Sequence, residues 1–349
     1  MRFYNNQHRY YCGMDLHARM MYVCIIDQAG TVMVHRNLPT TRGAFQRVIE
    51  PFREHVVVCV ECVLNWYWIA DLCAELGVTF VLGHALYMRA IHGGKTKNDK
   101  IDSEKIAALL RGGMLPMAHV YPQQLRSTRD LLRRRRYLIH QQSELLAHIQ
   151  NTITQYNLPA FDKRIANRAN RAALAEHFPE PMVRTRIEAN ITMLDQLHEV
   201  ILKIERTVLR QARAADPVAL HLLRTIPGVG KILSLVILLE IEDVSRFPQV
   251  GNFISYARLV KCSRESAGKK SGARNSTIGN AHLTWAFSEA AVLFLKVDHP
   301  AAKHWHTKLV SRYGKAKALS IIAQKLGRIA SFVLKRKEPF DSDKFFQAA

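Results

Sequence analysis

Residues 55–61 read His55-Val56-Val57-Val58-Cys59-Val60-Glu61 and decide the fold of the N-terminal part of the chain. A continuous apolar run of this length is typical of a central strand that helices bury on both faces. The run ends on an acid, and open α/β sheets place their sites at the carboxyl ends of such strands. The segment therefore predicts an α/β unit with Glu61 at its functional edge.

Further strands and helices are predicted on both sides of this run. Three strands precede it, at Tyr11–Leu16, Met20–Ile26 and Thr31–Leu38. A helix, a strand and a second helix follow it, at Trp66–Leu76, Val78–Leu82 and Ser103–Leu110. Asp15 lies inside the first predicted strand and, like Glu61, is an acid among apolar residues.

A second group of acids lies in the stretch Lys97-Asn98-Asp99-Lys100-Ile101-Asp102-Ser103-Glu104-Lys105. If a helix opens here, Asp99 and Asp102 are three residues apart and face the same side. Two like charges so close repel unless a cation lies between them. The pair therefore predicts a divalent metal site.

The composition indicates a polyanionic partner. The chain has 349 residues, a formal net charge of +21 and a pI near 10.0, and residues 216–349 carry 21 of the 50 Lys and Arg against 10 Asp and Glu. Such a balance favours nucleic acid over a neutral partner. No apolar run reaches the ~20 residues of a membrane span, and no secretory signal is evident, so we expect a cytoplasmic, nucleoid-associated protein. Cys59 and Cys62 lack a second ligand pair, so we assign no zinc.

The middle of the chain predicts long helices. Residues 123–157 carry leucine and isoleucine every seven residues, and a second helix repeats the pattern from Leu194 to Val208. This is a coiled-coil pattern, which fits either an antiparallel hairpin or pairing between protomers. Four arginines cross the first helix: Arg133, Arg134, Arg135 and Arg136. A solvated face and a phosphate-binding surface both remain open for them.

The last third contains two segments suited to phosphate binding. Ile226-Pro227-Gly228-Val229-Gly230-Lys231 resembles a helix-hairpin-helix element, in which backbone N–H groups at Gly228 and Gly230 meet a DNA phosphate beside Lys231. The loop 264–280 mixes hydroxyls with cations, including Lys269, Lys270 and Arg274. Composition alone favours a phosphate-binding loop without covalent chemistry. We expect domains at 1–120, 121–215 and 216–349.

The order of the first elements resembles the ribonuclease-H-like (RuvC-like) fold of Holliday-junction resolvases. Asp15, Glu61, Asp99 and Asp102 look like a D-E-D-D tetrad of that fold, which binds two magnesium ions. Mg²⁺ requires hard oxygen ligands, and a metal pair can stabilise the attacking and leaving oxygens of phosphoryl transfer. The resemblance therefore implies Mg²⁺ as cofactor.

The whole layout resembles the bridge-RNA-guided insertion-sequence transposases, in which a coiled coil joins a DEDD domain to a mostly α-helical serine transposase domain. The motifs that carry the resemblance are Gly13-Met14-Asp15-Leu16-His17, Val60-Glu61, Asn98-Asp99-Lys100-Ile101-Asp102, Ile226-Pro227-Gly228-Val229-Gly230, Ser266-Ala267-Gly268-Lys269-Lys270 and Ile278-Gly279-Asn280 with Leu283 and Ala286. In that family a serine before the Gly-Asn element is the nucleophile, which implies this role for Ser266. Ser263, Ser271 and Ser276 are the alternatives.

The resemblance also implies a mechanism and partners. One protomer's acids and another's serine would form a composite site in a dimer or tetramer, strands would be exchanged through a phosphoserine, and a structured guide RNA would select double-stranded donor and target DNA. No nucleotide-binding motif is evident, which agrees with transesterification. Two other hypotheses are a metal-dependent junction nuclease that needs no serine and a non-catalytic nucleic-acid scaffold.

Overall fold

The computed structural model describes residues 2–62, 64–91, 98–260, 264–271, 278–296 and 300–347. The chain folds into two compact units, Met1–Gln123 and Gln124–Ala349. The first unit is α/β and the second is mostly helical, as predicted. Within the described ranges, no helix combines the length and the apolar character that a membrane crossing requires. The division of the helical unit into a spacer and a terminal domain stays a prediction.

The first unit is built on a mixed sheet. Its described residues form seven strands: β1 (Phe3–Tyr4), β2 (Tyr10–Leu16), β3 (Met20–Asp27), β4 (Val32–Pro39), β5 (Val56–Glu61), β6 (Thr79–Gly83) and β7 (Leu115–Pro116). Five of them form a sheet in the order β4-β3-β2-β5-β6, while β1 pairs with β7. Strand β3 pairs antiparallel with both β2 and β4, whereas β5 pairs parallel with both β2 and β6. Strand β5 thus has a neighbour on each side, which confirms its prediction as an interior strand.

Helices cover both faces of this sheet. They are α1 (Arg42–Ile49), α2 (Tyr67–Leu76), α3 (Ala85–Ile91) and α4 (Asp99–Arg111). On one face, Val58 packs in a core with Phe45 of α1 and Ile69 of α2. On the other, Val57 packs in a core with Ala107 of α4. Burial on both faces explains why β5 shows no polar alternation.

The start of α4 corrects the prediction of a helix over Ser103–Leu110. The helix begins at Asp99, because the Asn98 side chain accepts a hydrogen bond of 2.8 Å from the backbone N–H of Ile101 and caps the first turn. Asp99 and Asp102 therefore both lie in the first helical turn. The helix ends at Arg111, with Gly112 as its C-terminal cap, one residue beyond the predicted end at Leu110.

The second unit opens with two long helices, α5 (Gln123–Gln155) and α6 (Pro181–Ala215). Arg135 of α5 donates to Glu205 of α6, and Asn190 of α6 bonds His148 of α5. Residue 135 of α5 thus pairs with residue 205 of α6, and residue 148 with residue 190, so the two helices are antiparallel. Buried isoleucines and leucines of both helices share one core. Of the two alternatives that the heptads left open, the structure forms the hairpin within the chain.

The terminal part of this unit surrounds one apolar helix. Its described elements are α7 (Pro217–Arg224), α8 (Lys231–Ile241), α9 (Val250–Tyr256), β8 (Arg264–Ser266), β9 (Lys269–Ser271), α10 (Ala281–Phe294), α11 (Pro300–Tyr313), α12 (Lys315–Arg336) and α13 (Ser342–Gln347). Every residue from Leu233 to Ile241 is buried. A helix that is apolar all round must be enclosed, and α8 shares its core with α10 and α12.

Candidate active site

Two predicted acids lie at the carboxyl ends of adjacent parallel strands. Met14 of β2 is in register with Val60 of β5, so Asp15 and Glu61 each follow a paired position. The side chains of Met14 and Val60 belong to the core under α1 and α2. Because side chains alternate along a strand, Asp15 and Glu61 emerge on the opposite face, where α4 packs.

Gly13 brings α4 close to that edge. A Cβ atom at Gly13 would lie 2.2 Å from the carbonyl oxygen of Ser103 and 2.3 Å from the backbone nitrogen of Ala107. The helix backbone therefore rests directly on β2, in space that a side chain would occupy. This contact carries the first turn of α4 to the end of the strand that holds Asp15.

The first turn of α4 is fixed by its own contacts. The Ser103 hydroxyl, which is buried, donates to the carbonyl of Lys100 at 2.8 Å, and the His35 ring lies 3.0 Å from the same oxygen. Asp102 lies 3.7 Å from the ammonium of Lys105. The partial positive charge of a helix N-terminus stabilises carboxylates in this turn. Asp99 and Asp102 are thus held at the sheet edge.

A three-residue cluster forms where these elements meet. One ligand atom each from Asp15, His17 and Asp99 lies within 4.8 Å of the others. The His17 Nε2 atom is 3.4 Å from Asp15 Oδ1 and 3.6 Å from Asp99 Oδ1. The Asp15 side chain is 18% exposed, whereas those of His17 and Asp99 are 57% and 58% exposed. The cluster is open to solvent on one side.

The electrostatics of the cluster favour a cation. Burial raises the pKa of Asp15, the negative charges of Asp99 and Asp102 raise it further, and His17 opposes them. A divalent ion would relieve this repulsion, and the carboxylate oxygens are the hard donors that such ions take. The donor set therefore fits the divalent metal that a DEDD domain suggests.

Of the predicted tetrad, the structure brings Asp15 and Asp99 into one cluster. Asp102 lies near enough to act on the pKa of Asp15 but outside the cluster of ligand atoms. Glu61 is on the neighbouring strand, also outside it. The sequence interpretation missed His17, although it lies only two residues after Asp15 in the motif Gly13-Met14-Asp15-Leu16-His17.

The proposed nucleophile lies on a short hairpin in the second unit. Ser266 ends β8 and is paired with Lys269 of β9 across a two-residue turn. Both turn residues have positive φ, 50° at Ala267 and 72° at Gly268, as tight hairpin turns require. Lys269 is exposed. The side chains of Ser266, Lys270 and Ser271 lie outside the described part of the structure, as do Ser263, Arg274 and Ser276 entirely.

The arginine run on α5 meets protein groups. Arg133 donates two hydrogen bonds, of 2.7 and 2.8 Å, to Glu240, a carboxylate that is only 2% exposed. Arg135 pairs with Glu205, and the guanidinium of Arg136 lies over the Trp285 ring. The arginines at 133, 135 and 136 thus hold the helical unit together, while Arg134 is exposed. A phosphate-binding role for the run stays a prediction.

Glu240 also reaches the Gly-Asn motif. The Asn280 amide donates to Glu240 at 2.8 Å, while its oxygen accepts from the backbone N–H groups of His282 and Leu283 and caps α10. Burial and the nearby arginines lower the pKa of His282 to about 4, against the influence of Glu240, so the neutral ring faces Arg136 at 3.1 Å. Asn280 therefore ties the segment that follows Ser266 in sequence to the buried ionic cluster.

The two glycines of the predicted helix-hairpin-helix element differ. Gly228 has a φ of +84°, and a Cβ there would lie 2.4 Å from the carbonyl oxygen of Ala290 in α10. Gly228 lies in the turn between α7 and α8 and lets this turn approach the backbone of α10 closely. Gly230 is exposed and caps α8 beside the exposed Lys231. Phosphate binding at this element stays a prediction, and Gly230 with Lys231 is the part accessible to a ligand.

Known proteins resemble this chain over most of its length. Residues 12–158 match a family of DEDD transposases of the IS110 type, and residues 220–306 match a family described as "Transposase IS116/IS110/IS902 family". The transposase for insertion sequence element IS1111A of Coxiella burnetii (strain RSA 493 / Nine Mile phase I) is 22% identical over 341 residues, which cover 94% of this chain and 90% of that protein. Because the two family matches span more than half of the chain, in the order of its α/β and helical units, the chain belongs to the IS110/IS116 family of insertion-sequence transposases.

Proposed function

We propose that this transposase recombines DNA under RNA guidance, with a serine nucleophile and a magnesium-binding acid tetrad. One observation carries the proposal: Asp99 of α4 converges with Asp15 and His17 at the end of β2, beside Asp102. Residues that meet in this way at the carboxyl edge of a sheet are typical of a catalytic site. In a transposase, the reaction at such a site is the breaking and joining of phosphodiesters.

Asp15, Glu61, Asp99 and Asp102 are the proposed magnesium ligands. Bound Mg²⁺ would supply charge stabilisation to a phosphoryl group and its departing oxygen. The chain's own contribution is to hold the carboxylates, since Gly13 seats α4 on β2 and Asn98 caps its first turn. His17 lies between Asp15 and Asp99 and holds their carboxylates close, as a hydrogen-bonding neighbour or a further ligand.

Ser266 is the proposed nucleophile. Its hydroxyl oxygen attacks the phosphorus of a DNA strand, a phosphoserine forms, and the displaced deoxyribose oxygen takes up the proton. Attack by the hydroxyl of another strand then releases the serine and joins the new phosphodiester. Lys269, Lys270 and Arg274 would neutralise the phosphate. The positive φ of Ala267 and Gly268 supports the proposal, because the tight turn fixes the end of β8 at which Ser266 lies.

The basic charge supports two polyanionic partners. Double-stranded donor and target DNA and a structured guide RNA must be held together, and the chain carries a net charge of +21. Guide pairing would leave the protein to bind backbone and shape. We propose that the acids of one protomer and Ser266 of another complete the site in a dimer or tetramer.

A second candidate is a metal-dependent junction nuclease. It is favoured by one observation, that the Asp15, His17 and Asp99 cluster is formed within the first unit alone. Such an enzyme would hydrolyse DNA with the acids and would need no serine. The non-catalytic scaffold becomes the third outcome of the same experiment.

Replacement of Ser266 tests the proposal. Purified protein is incubated with Mg²⁺, the RNA transcribed from beside its coding frame and paired DNA substrates, and covalent protein-DNA adducts are separated on denaturing gels. We expect Ser266→Ala to abolish the adducts, because the nucleophilic oxygen is gone, while the matched change Ser271→Ala in the same hairpin retains them. Asp102→Ala should also lose cleavage.

The other outcomes separate the hypotheses. Adducts that persist in Ser266→Ala would refute the nucleophile assignment. Hydrolytic nicking that survives every serine change but stops in Asp102→Ala would favour the nuclease. If the unaltered protein binds the nucleic acids but forms neither adducts nor nicks, and neither variant changes this, the scaffold hypothesis is correct.

The metal site has a prediction of its own. We expect Asp15→Asn and Asp99→Asn each to weaken Mn²⁺ binding by about tenfold or more, because each removes a charged oxygen donor. Isothermal titration of the full chain measures the affinity. Asp27→Asn is the matched control. Asp27 belongs to the same sheet, but its carboxylate accepts a hydrogen bond from the backbone N–H of Thr31. Equal affinities in all four proteins would mean that the cluster is not a metal site.

A further inference from the structure

A cationic groove lies between α11, α12 and α13. Its volume is about 640 Å³, and its described lining includes Trp305, Lys308, Arg312, Tyr313, Arg328 and Phe332. Helices α12 and α13 lie beyond residue 306, where the second family match ends. None of the described residues that line the groove belongs to the tetrad or to the serine hairpin.

Its floor is a rigid aromatic cluster. The Lys325 ammonium lies 4.9 Å from the ring centre of Trp305 and 4.4 Å from that of Phe345, and it donates to the carbonyl of Phe345 at 2.7 Å. Trp305 and Phe345 also meet edge to face. These contacts hold α13 against α11 and α12. Lys325 thus has a structural role, and the groove is preformed.

Its rim carries exposed cations. Lys308, Arg312 and Arg328 are exposed, and Tyr313, next to Arg312, keeps 37% of its surface accessible. Lys344 is engaged 3.2 Å from Asp341. Among the described residues that line the groove, none is acidic. The rim is therefore complementary to a polyanion.

The combination of aromatic rings and cations indicates which kind of polyanion the groove would bind. Tyr313 and the half-buried Phe332 are the aromatic residues of the rim. Arg312 and Lys317 lie over the Tyr313 ring at 5.2 and 4.7 Å from its centre, and Arg336 lies over the Phe332 ring at 5.2 Å. A base that stacks on either ring would displace a cation and free it for the phosphates of the same strand. Aromatic rings next to Lys and Arg bind nucleic acid by stacking on bases while the cations take the phosphates. A duplex keeps its bases stacked inside and offers none to the rings, whereas a single strand exposes both parts.

We propose that this groove binds a single-stranded segment of nucleic acid, with phosphates on Lys308, Arg312 and Arg328 and bases on Tyr313 and Phe332. The inference rests on the proposed function only in that recombination with a guide RNA supplies such strands. RNA and DNA share the chemistry that the groove recognises. Both are therefore arms of the test.

The test uses the full chain and fluorescent twelve-nucleotide uridine RNA, thymidine DNA and a blunt duplex, followed by anisotropy over a series of salt concentrations. We expect Arg312→Ala with Arg328→Ala to weaken single-strand binding about tenfold or more and to reduce the log-log salt slope by about 1.4, since each lost phosphate contact removes about 0.7. Tyr313→Ala should weaken binding several-fold, and Tyr313→Trp should retain it.

The controls make the result local. Lys163→Ala with Arg213→Ala removes the same charge from exposed positions elsewhere, and we expect it to leave single-strand affinity within about twofold. Photocrosslinking with iodouridine, mapped by mass spectrometry, should mark Tyr313. An equal loss in the control pair, crosslinks confined to other segments, or preference for the duplex would overturn the proposal.

The proposed function has a separate readout. Ser266→Ala should bind the single strand as the unaltered chain does, because the hairpin and the groove are different sites. Groove variants that bind normally while Ser266-dependent adducts still form would overturn the groove and leave the recombinase standing. Groove binding that behaves as expected in a protein without adducts would support the groove and count against the recombinase.

Discussion

Gly13→Ala is expected to destabilise the first unit by roughly 2–4 kcal/mol. The added methyl would lie 2.2 Å from the Ser103 carbonyl oxygen and 2.3 Å from the Ala107 nitrogen, which are backbone atoms and cannot rotate away. Carbon atoms pack best at about 3.5–4.0 Å, so α4 must move by about 1 Å or more. Hydrogen exchange of the peptides covering residues 10–16 and 99–111 measures the loss directly.

The same shift should separate the two halves of the metal site. Helix α4 carries Asp99 and Asp102, whereas Asp15 stays on β2, so we expect Mn²⁺ affinity to fall together with stability. Gly43→Ala is the control, because a Cβ at Gly43 comes no nearer than 3.7 Å to a flexible Arg47 side chain. Alanine in a helix should be neutral or stabilising there by up to about 1 kcal/mol. A Gly13→Ala protein with unaltered exchange and metal affinity would contradict this account.

The sheet edge was predictable because its signals are local. The apolar run before Glu61 predicts an interior strand from burial alone, and the structure confirms it. Asp15 lies near the end of β2 and Glu61 ends β5, and these two strands are neighbours in the sheet. The distances between acids were not predictable, because they depend on how closely α4 approaches. That approach depends on Gly13, which the sequence presents only as one residue of a motif.

The long-range contacts were not predictable. Nothing local to Arg133 indicates a partner at Glu240, 107 residues away, so the arginine run suggested phosphate or solvent. Likewise, a heptad pattern shows that α5 has an apolar stripe but not which helix covers it. The structure answers both questions with contacts inside one unit. Some basic residues of this chain thus stabilise the fold, whereas others are exposed and accessible to a ligand. The sequence does not tell these two groups apart, because the difference lies in their three-dimensional contacts.

Glu240 links these observations to the Gly-Asn motif. The buried carboxylate of Glu240 accepts hydrogen bonds from Arg133 of α5 and from Asn280 at the start of α10. The Arg129 guanidinium lies 3.7 Å from the same carboxylate. Buried ion pairs add little when intact, but removal of one partner leaves uncompensated charge in a medium that solvates it poorly. The cluster therefore makes α5, α8 and α10 dependent on one residue.

Glu240→Ala is expected to lower the free energy of unfolding of the helical unit by roughly 3–5 kcal/mol. Arg129 and Arg133 would remain near a cavity without their carboxylate, and Asn280 would lose an acceptor. Chemical denaturation followed through Trp285 and Trp305 fluorescence measures the change. We expect Ser266-dependent adducts to fall as well, because Asn280 follows the serine segment in sequence.

The pH dependence gives the same prediction a second measure. Burial would raise the pKa of Glu240, but hydrogen bonds from Arg133 and Asn280 and the charge of Arg129 hold it below its ordinary value of 4.5. A depressed folded-state pKa means that the ionised group stabilises the fold above pH 4.5 and that this contribution is lost as pH falls through the lower folded pKa. Glu240→Gln should therefore flatten the acid limb of the stability curve.

The matched control is Glu144→Ala on α5, whose carboxylate is 57% exposed beside His140. Exposed pairs contribute about 0–1 kcal/mol, so this variant should unfold close to the unaltered protein. A double change, Glu240→Leu with Arg133→Leu, should cost less than the sum of the single changes, because it removes both buried charges together. Strict additivity, or equal midpoints for Glu240→Ala and Glu144→Ala, would show that the buried carboxylate does not hold the three helices together.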